Sequence, residues 1–155
     1  MLQKVIFALC LIISMSIDLY AQNEPLKIGV VELTHTQIHW IFGREDRGDI
    51  QIVGIVEPYR DLAERYAKQH GYDMSKVYNT MDEMIAATKP EAVTAFGTIY
   101  EHLEVVEKCA PLGIHVMMEK LLTVSMDHAK KMETLAKKHN LHLLTNYEKN
   151  WLQQT

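Results

Sequence analysis

Cysteine is nearly missing from this chain: two in 155 residues, Cys10 and Cys109. That excludes a disulfide framework, so packing rather than cross-linking must hold the fold. Cys109 shares a helical spacing with Leu103, Val106 and Ala110, the pattern of a buried structural thiol rather than a nucleophile. Positive charge is scarce too. Sixteen Lys and Arg face twenty Asp and Glu, for a net charge of −4, so no nucleic-acid partner is expected. The longest apolar run, Val5 to Met15, falls short of the roughly 20 residues a membrane span needs. There is no internal repeat and no low-complexity tract. Glycine is thin at seven residues, and its absence at three positions, discussed below, carries the most information.

The N-terminal 21 residues differ in kind from the rest. Lys4 precedes the apolar run, and Leu19-Tyr20-Ala21 stands before Gln22. A short positive region, an apolar stretch of this length and a small residue at the cut predict a secretory leader over 1–21. The mature protein is then periplasmic or secreted, with no membrane association after cleavage. An uncleaved N-terminal anchor is the alternative, because Leu19 is larger than the residue usual at its position.

From Leu26 onward, short β-branched runs alternate with amphipathic segments. Strands are predicted at 27–32, 50–56, 92–96, 114–118 and 141–145, with a weaker one at 76–78. Continuous apolar strands of this kind suit a parallel sheet covered on both faces. Pro58 opens a helix whose inner stripe is Leu62, Ala63, Tyr66, Ala67 and His70, and Gly71 stops it. Thr80 and Glu83 form a capping box. Tyr100 to Leu112 makes a helix ended by Gly113. Ser125 caps the last helix, with Met126, Ala129, Met132, Leu135 and Ala136 facing inward. The expected fold class is α/β, a doubly wound parallel sheet in a single Rossmann-like domain over 22–146.

The first strand, Lys27-Ile28-Gly29-Val30-Val31, leads into Glu32-Leu33-Thr34-His35-Thr36-Gln37 and then a helix-like stretch to Phe42. This is the setting of a G-x-G-x-x-G dinucleotide loop, yet Glu32, Thr34 and Gln37 stand where its glycines belong. Glu32 is the serious departure. A carboxylate about 4 Å from a phosphate charge costs on the order of 4 kcal/mol at an effective dielectric near 20, roughly a thousandfold in affinity. Rotation into solvent would remove most of that cost. Thr34 offers a hydroxyl to a phosphate. Glu57 follows the second strand where an acid accepts ribose hydroxyls, favouring NAD over NADP, and Arg60 nearby weakens that preference. An acid simply complementing a helix start is the other reading of Glu57. His35 and His39, four apart, would share a helix face, but no third ligand accompanies them and no metal is assigned.

Taken in order, these motifs are similar to the N-terminal NAD(P)-binding domain of the glucose–fructose oxidoreductase / inositol dehydrogenase / MocA family. Val53-Gly54-Ile55-Val56-Glu57-Pro58 resembles its second strand. Ala95-Phe96-Gly97-Thr98 with His102 resembles its cofactor-facing strand end and helix. Gly113-Ile114-His115-Val116-Met117-Met118-Glu119-Lys120 resembles its Gly-x-His-Val-x-x-Glu-Lys-Pro signature. The resemblance covers 26–147 and implies an NAD(P)-dependent oxidoreductase of sugars or polyols. Leu33, Thr34, His35, Glu57, Phe96, Gly97, Thr98, His102 and Glu119 would then border the cofactor. Lys120 would lie beside the substrate and exchange a proton with its hydroxyl, a task that suits a partly buried lysine.

Leu121 replaces the proline of that signature. Residues 147–155 resemble the start of the connection to the family's second domain, which builds the substrate pocket. A sugar or polyol substrate therefore needs that missing domain, and the chain is not expected to turn over alone. The competing expectation is a truncated or interaction module with no cofactor, for which Trp151 is a candidate contact.

Overall fold

In the computed structural model, residues 24–147 are described. The leader at 1–21, residues 148–155 of the connection and Trp151 lie outside the described residues. Six strands alternate with five α-helices among them: β1 Leu26–Val31, α1 Ile38–Phe42, β2 Ile50–Val56, α2 Arg60–His70, β3 Val77–Tyr78, α3 Met81–Thr88, β4 Ala92–Ala95, α4 His102–Cys109, β5 His115–Glu119, α5 Met126–Lys138 and β6 Leu143–Asn146. All strand pairs are parallel, in the order β3-β2-β1-β4-β5-β6. The α/β sheet is thus the doubly wound one expected.

The period-two alternation of a strand explains the two-sided core. Val30 and Ile55 enter a cluster with Leu33, Ile38, Ala63, Tyr66 and Phe96. Their neighbours Val31 and Val56 enter the opposite cluster with Met84, Val93, Val106 and Met132. Gly29 and Gly54 are register partners across β1 and β2. A Cβ on Gly54 would lie 2.6 Å from Met84 Cγ, and one on Gly29 2.6 Å from Met84 Cε. Two adjacent glycines thereby let Met84 lie flat on the sheet and bring α3 close.

Local signals set the helix ends. Thr80 and Glu83 form the reciprocal capping box, and Ser125 Oγ accepts from His128 N at 3.2 Å. Gly71 and Gly113 take left-handed backbone at the ends they close. Three expectations need correction. The second helix begins at Arg60, with extended Tyr59 before it and no side-chain cap, because Tyr59 N–H is drawn to the Glu57 carboxylate at 2.8 Å. The 100–112 helix is α-helical over 102–109 and tightens to a 3₁₀ turn over 110–112, since Pro111 supplies no N–H. Met126 is 71 % exposed while Met132 is fully buried. Six residues place Met126 about 120° round the helix from Met132.

Candidate functional site

In this strand order, the chain leaves β1 and β4 toward opposite sides of the sheet. A crevice opens there, at the carboxyl ends of the strands. The loop after β1 lies over it. Glu32 holds left-handed backbone, φ 62°, with its N–H on Val56 O at 2.8 Å. Leu33 N–H donates to Glu57 Oε2 at 3.0 Å. Thr34 Oγ1 and His35 N–H both donate to Phe96 O, each at 3.0 Å, and Gln37 N–H donates to His35 Nδ1 at 3.3 Å. Donors that would face a phosphate thus already serve the protein's own acceptors. Glu57, 1 % exposed, organises this turn by accepting from both Leu33 and Tyr59.

The Glu32 carboxyl lies directly over Gly97, where any Cβ would collide with it. It shares a hydrogen bond with Glu101, and burial, with the charges of Glu101 and Glu57, pushes its pKa up to about 7. Glu101 accepts from Thr98 N–H at 2.8 Å and from the Thr98 hydroxyl. The Thr98 contact is the main reason its carboxyl is held below the usual range. The proton of the pair therefore resides on Glu32 near neutral pH. Beside it a cleft of about 210 Å³ is bounded by Val31, Val56, Pro58, Asn79, Thr80 and Met81, among others.

At the end of β5, Glu119 is 2 % exposed and accepts from Asn146 Nδ2 at 2.7 Å through Oε1. Its Oε2 has no hydrogen-bond partner, nor does Nε2 of buried His102. His102 Nδ1 lies 3.0 Å from Leu122 O. Two buried polar atoms are thus left unsatisfied by the protein near the sheet's carboxyl edge. Lys120 is exposed rather than partly buried, because it is the first residue past the strand.

The fold gathers Leu33, Thr34, His35, Glu57, Phe96, Gly97 and Thr98 around the β1–β4 crevice. His102, Glu119 and Lys120 stand one strand further along. Leu33 and Phe96 are core side chains and can offer only their backbone groups. His35 precedes α1, so it does not share a helix face with His39. His39 Nδ1 instead lies 2.8 Å from His70 Nε2. Among the described residues no group of three or more metal-ligating side chains converges. Arg60 pairs with Glu64 at 3.1 Å. Sequence reasoning missed Glu101 and Asn146. The spacing Thr98-x-x-Glu101, a capping-box spacing, could have revealed the first.

The crevice fits a dinucleotide in one protonation state. Its position, the cleft and the unsatisfied Glu119 and His102 atoms suit such a group, and a neutral Glu32 adds no further charge to those of Glu101 and Glu57 against a diphosphate. An ionised Glu32 does.

Solved structures share this architecture. The myo-inositol 2-dehydrogenase of Lactobacillus plantarum superposes with a TM-score of 0.71 at 17 % identity, over 82 % of this chain and 38 % of its own. The scyllo-inositol dehydrogenase of Lactobacillus casei, solved with NAD(H) and scyllo-inositol, gives 0.70 at 19 %, over 82 % and 37 %. By sequence, an uncharacterized oxidoreductase of Synechocystis sp. is 26 % identical over 58 % of this chain and 24 % of its own length. Another from Schizosaccharomyces pombe is 38 % identical over 47 % and 20 %. The chain thus spans about a quarter or less of the length of these curated relatives. Residues 26–147 match the sequence model of the oxidoreductase family with the NAD-binding Rossmann fold, GFO/IDH/MocA, and the chain belongs to that family.

Proposed function

We propose that this chain supplies the dinucleotide-binding domain of an exported oxidoreductase acting on sugars or polyols, without turnover by this domain alone. The convergence of Leu33, Glu57, Gly97, Thr98 and Glu119 at the carboxyl edge of the sheet carries that reading. Family membership and the inositol dehydrogenase neighbours support it. A nicotinamide dinucleotide, when bound, supplies a hydride donor or acceptor. Glu57 holds the loop by accepting from Leu33 and Tyr59, and its carboxylate would accept from ribose hydroxyls of a bound dinucleotide. Its negative charge favours NAD over NADP. Glu119, fixed by Asn146, orients the nicotinamide end. Lys120, free at the strand end, exchanges a proton with the reacting hydroxyl. A second domain, as the family resemblance implies, supplies the rest of the substrate pocket.

Titration of the purified full chain with NAD at pH 6 by calorimetry tests this reading. Saturable binding below millimolar concentration, tighter than for NADP, is expected. No heat at millimolar NAD would overturn it. A module without a cofactor would then be the better reading, and the engaged N–H groups of the loop favour that alternative. Export is tested by sequencing the N-terminus of the mature protein, where Gln22 is expected first.

A further inference from the structure

We propose that Glu32 makes dinucleotide binding proton-coupled, the crevice accepting a diphosphate only while this carboxyl carries a proton. The inference rests on the dinucleotide reading above and concerns how that site is controlled.

Geometry leaves Glu32 little choice. Its backbone is pinned in left-handed conformation with N–H on Val56 O. Its carboxyl fills the space above Gly97, at the mouth between β1 and β4. It meets the carboxyl of Glu101, which Thr98 holds through two hydrogen bonds. Two carboxyl groups in hydrogen-bond contact need one proton between them. The other charges facing this point are mostly of the same sign. Helix α4 and the residue before it bring Glu101, Glu104 and Lys108, the end of β2 brings Glu57, and the approach to α3 lines the cleft with uncharged Asn79, Thr80 and Met81 while its first turn carries Asp82 and Glu83. Lys108 is already engaged with Asp82 at 3.0 Å and Glu104 at 3.7 Å. No free cation therefore offsets an ionised Glu32 among these lining residues. A diphosphate added here raises the proton affinity of Glu32 further, so binding takes up a proton from solution.

The test is calorimetric titration of the full chain with NAD at pH 6, 7, 8 and 9, at pH 8 in two buffers of different ionisation heat. With the free carboxyl titrating near 7, affinity is expected to fall about a hundredfold between pH 6 and 9. The two buffers should report uptake of close to one proton at pH 8. Glu32→Gln, neutral throughout, should vary less than about threefold over the same range. Wild-type affinity flat with pH, or no proton uptake, overturns the coupling. So does binding by E32Q with the wild type silent even at pH 6, an outcome that leaves the cofactor reading standing. Absence of binding by both proteins at every pH overturns both. The buffer comparison uses wild type alone and stands if E32Q does not fold.

Discussion

Glu32→Gln should stabilise the folded domain at alkaline pH and leave it unchanged in acid. A carboxyl raised from 4.5 to about 7 in the fold binds more protons folded than unfolded between those values, so stability falls as pH rises through that window. Its contribution is fully present below 4.5 and gone above about 7. A shift of that size corresponds to at most about 3.4 kcal/mol. Glu32 is only partly buried, and discounting for solvent screening leaves about 1–2 kcal/mol. Glutamine keeps the left-handed backbone strain and donates to Glu101 at every pH, so the substitution isolates charge from conformation. Urea melts of wild type and E32Q at pH 4.5 and 8 supply the difference. It should be near zero at the lower pH and about 1–2 kcal/mol in favour of E32Q at the upper, or roughly 3–8 °C in Tm. Equal differences at both pH values would refute the placement of a buried proton on Glu32.

Other perturbations follow from the same geometry. Gly97→Ala meets only the far end of the Glu32 side chain, so it should destabilise by at most about 1 kcal/mol, the low end of overpacking, and that loss should vanish in an E32G background when the double-mutant cycle is measured by urea melts. Thr80→Ala removes one half of the capping box and should cost about 1 kcal/mol, seen as a Tm a few degrees lower. His70 is held below its usual pKa by burial and by His39. Its contribution is therefore present above about 6.5 and lost as pH falls further, opposite in sign to Glu32. The stability difference between wild type and H70Q should shrink between pH 7 and 5, and a difference constant with pH would contradict the lowered pKa of His70.

The fold was legible wherever local chemistry decides structure. Apolar runs such as Val53 to Val56 named the parallel strands, and Thr80, Glu83, Ser125, Gly71 and Gly113 named the helix ends, because caps act within a few residues. Small shifts arose where a side chain from one element reached the backbone of the next, as when Glu57 delayed the helix to Arg60. Met126 misled because it is apolar and adjacent to a cap, yet its angle on the helix turns it to solvent. The crevice was legible as a loop with the wrong residues. Its actual state was not, since Glu32 and Glu101 are 69 positions apart and only the β1–β4 pairing brings their carboxyls together. The role of Glu57 was half legible: an acid at that position was recognised, but its grip on Leu33 and Tyr59 depends on the turn that Glu32 makes. Asn146 escaped notice because nothing local marks an amide at the end of an edge strand as the partner of Glu119.

The most direct measurement compares NAD affinity of the wild-type chain and Glu32→Gly at pH 9, where the wild-type carboxyl is ionised. Restoring glycine removes that charge and, with the wild-type carboxyl titrating near 7, should tighten binding about a hundredfold. Equal affinities in the two proteins would contradict control of this crevice by the charge on Glu32.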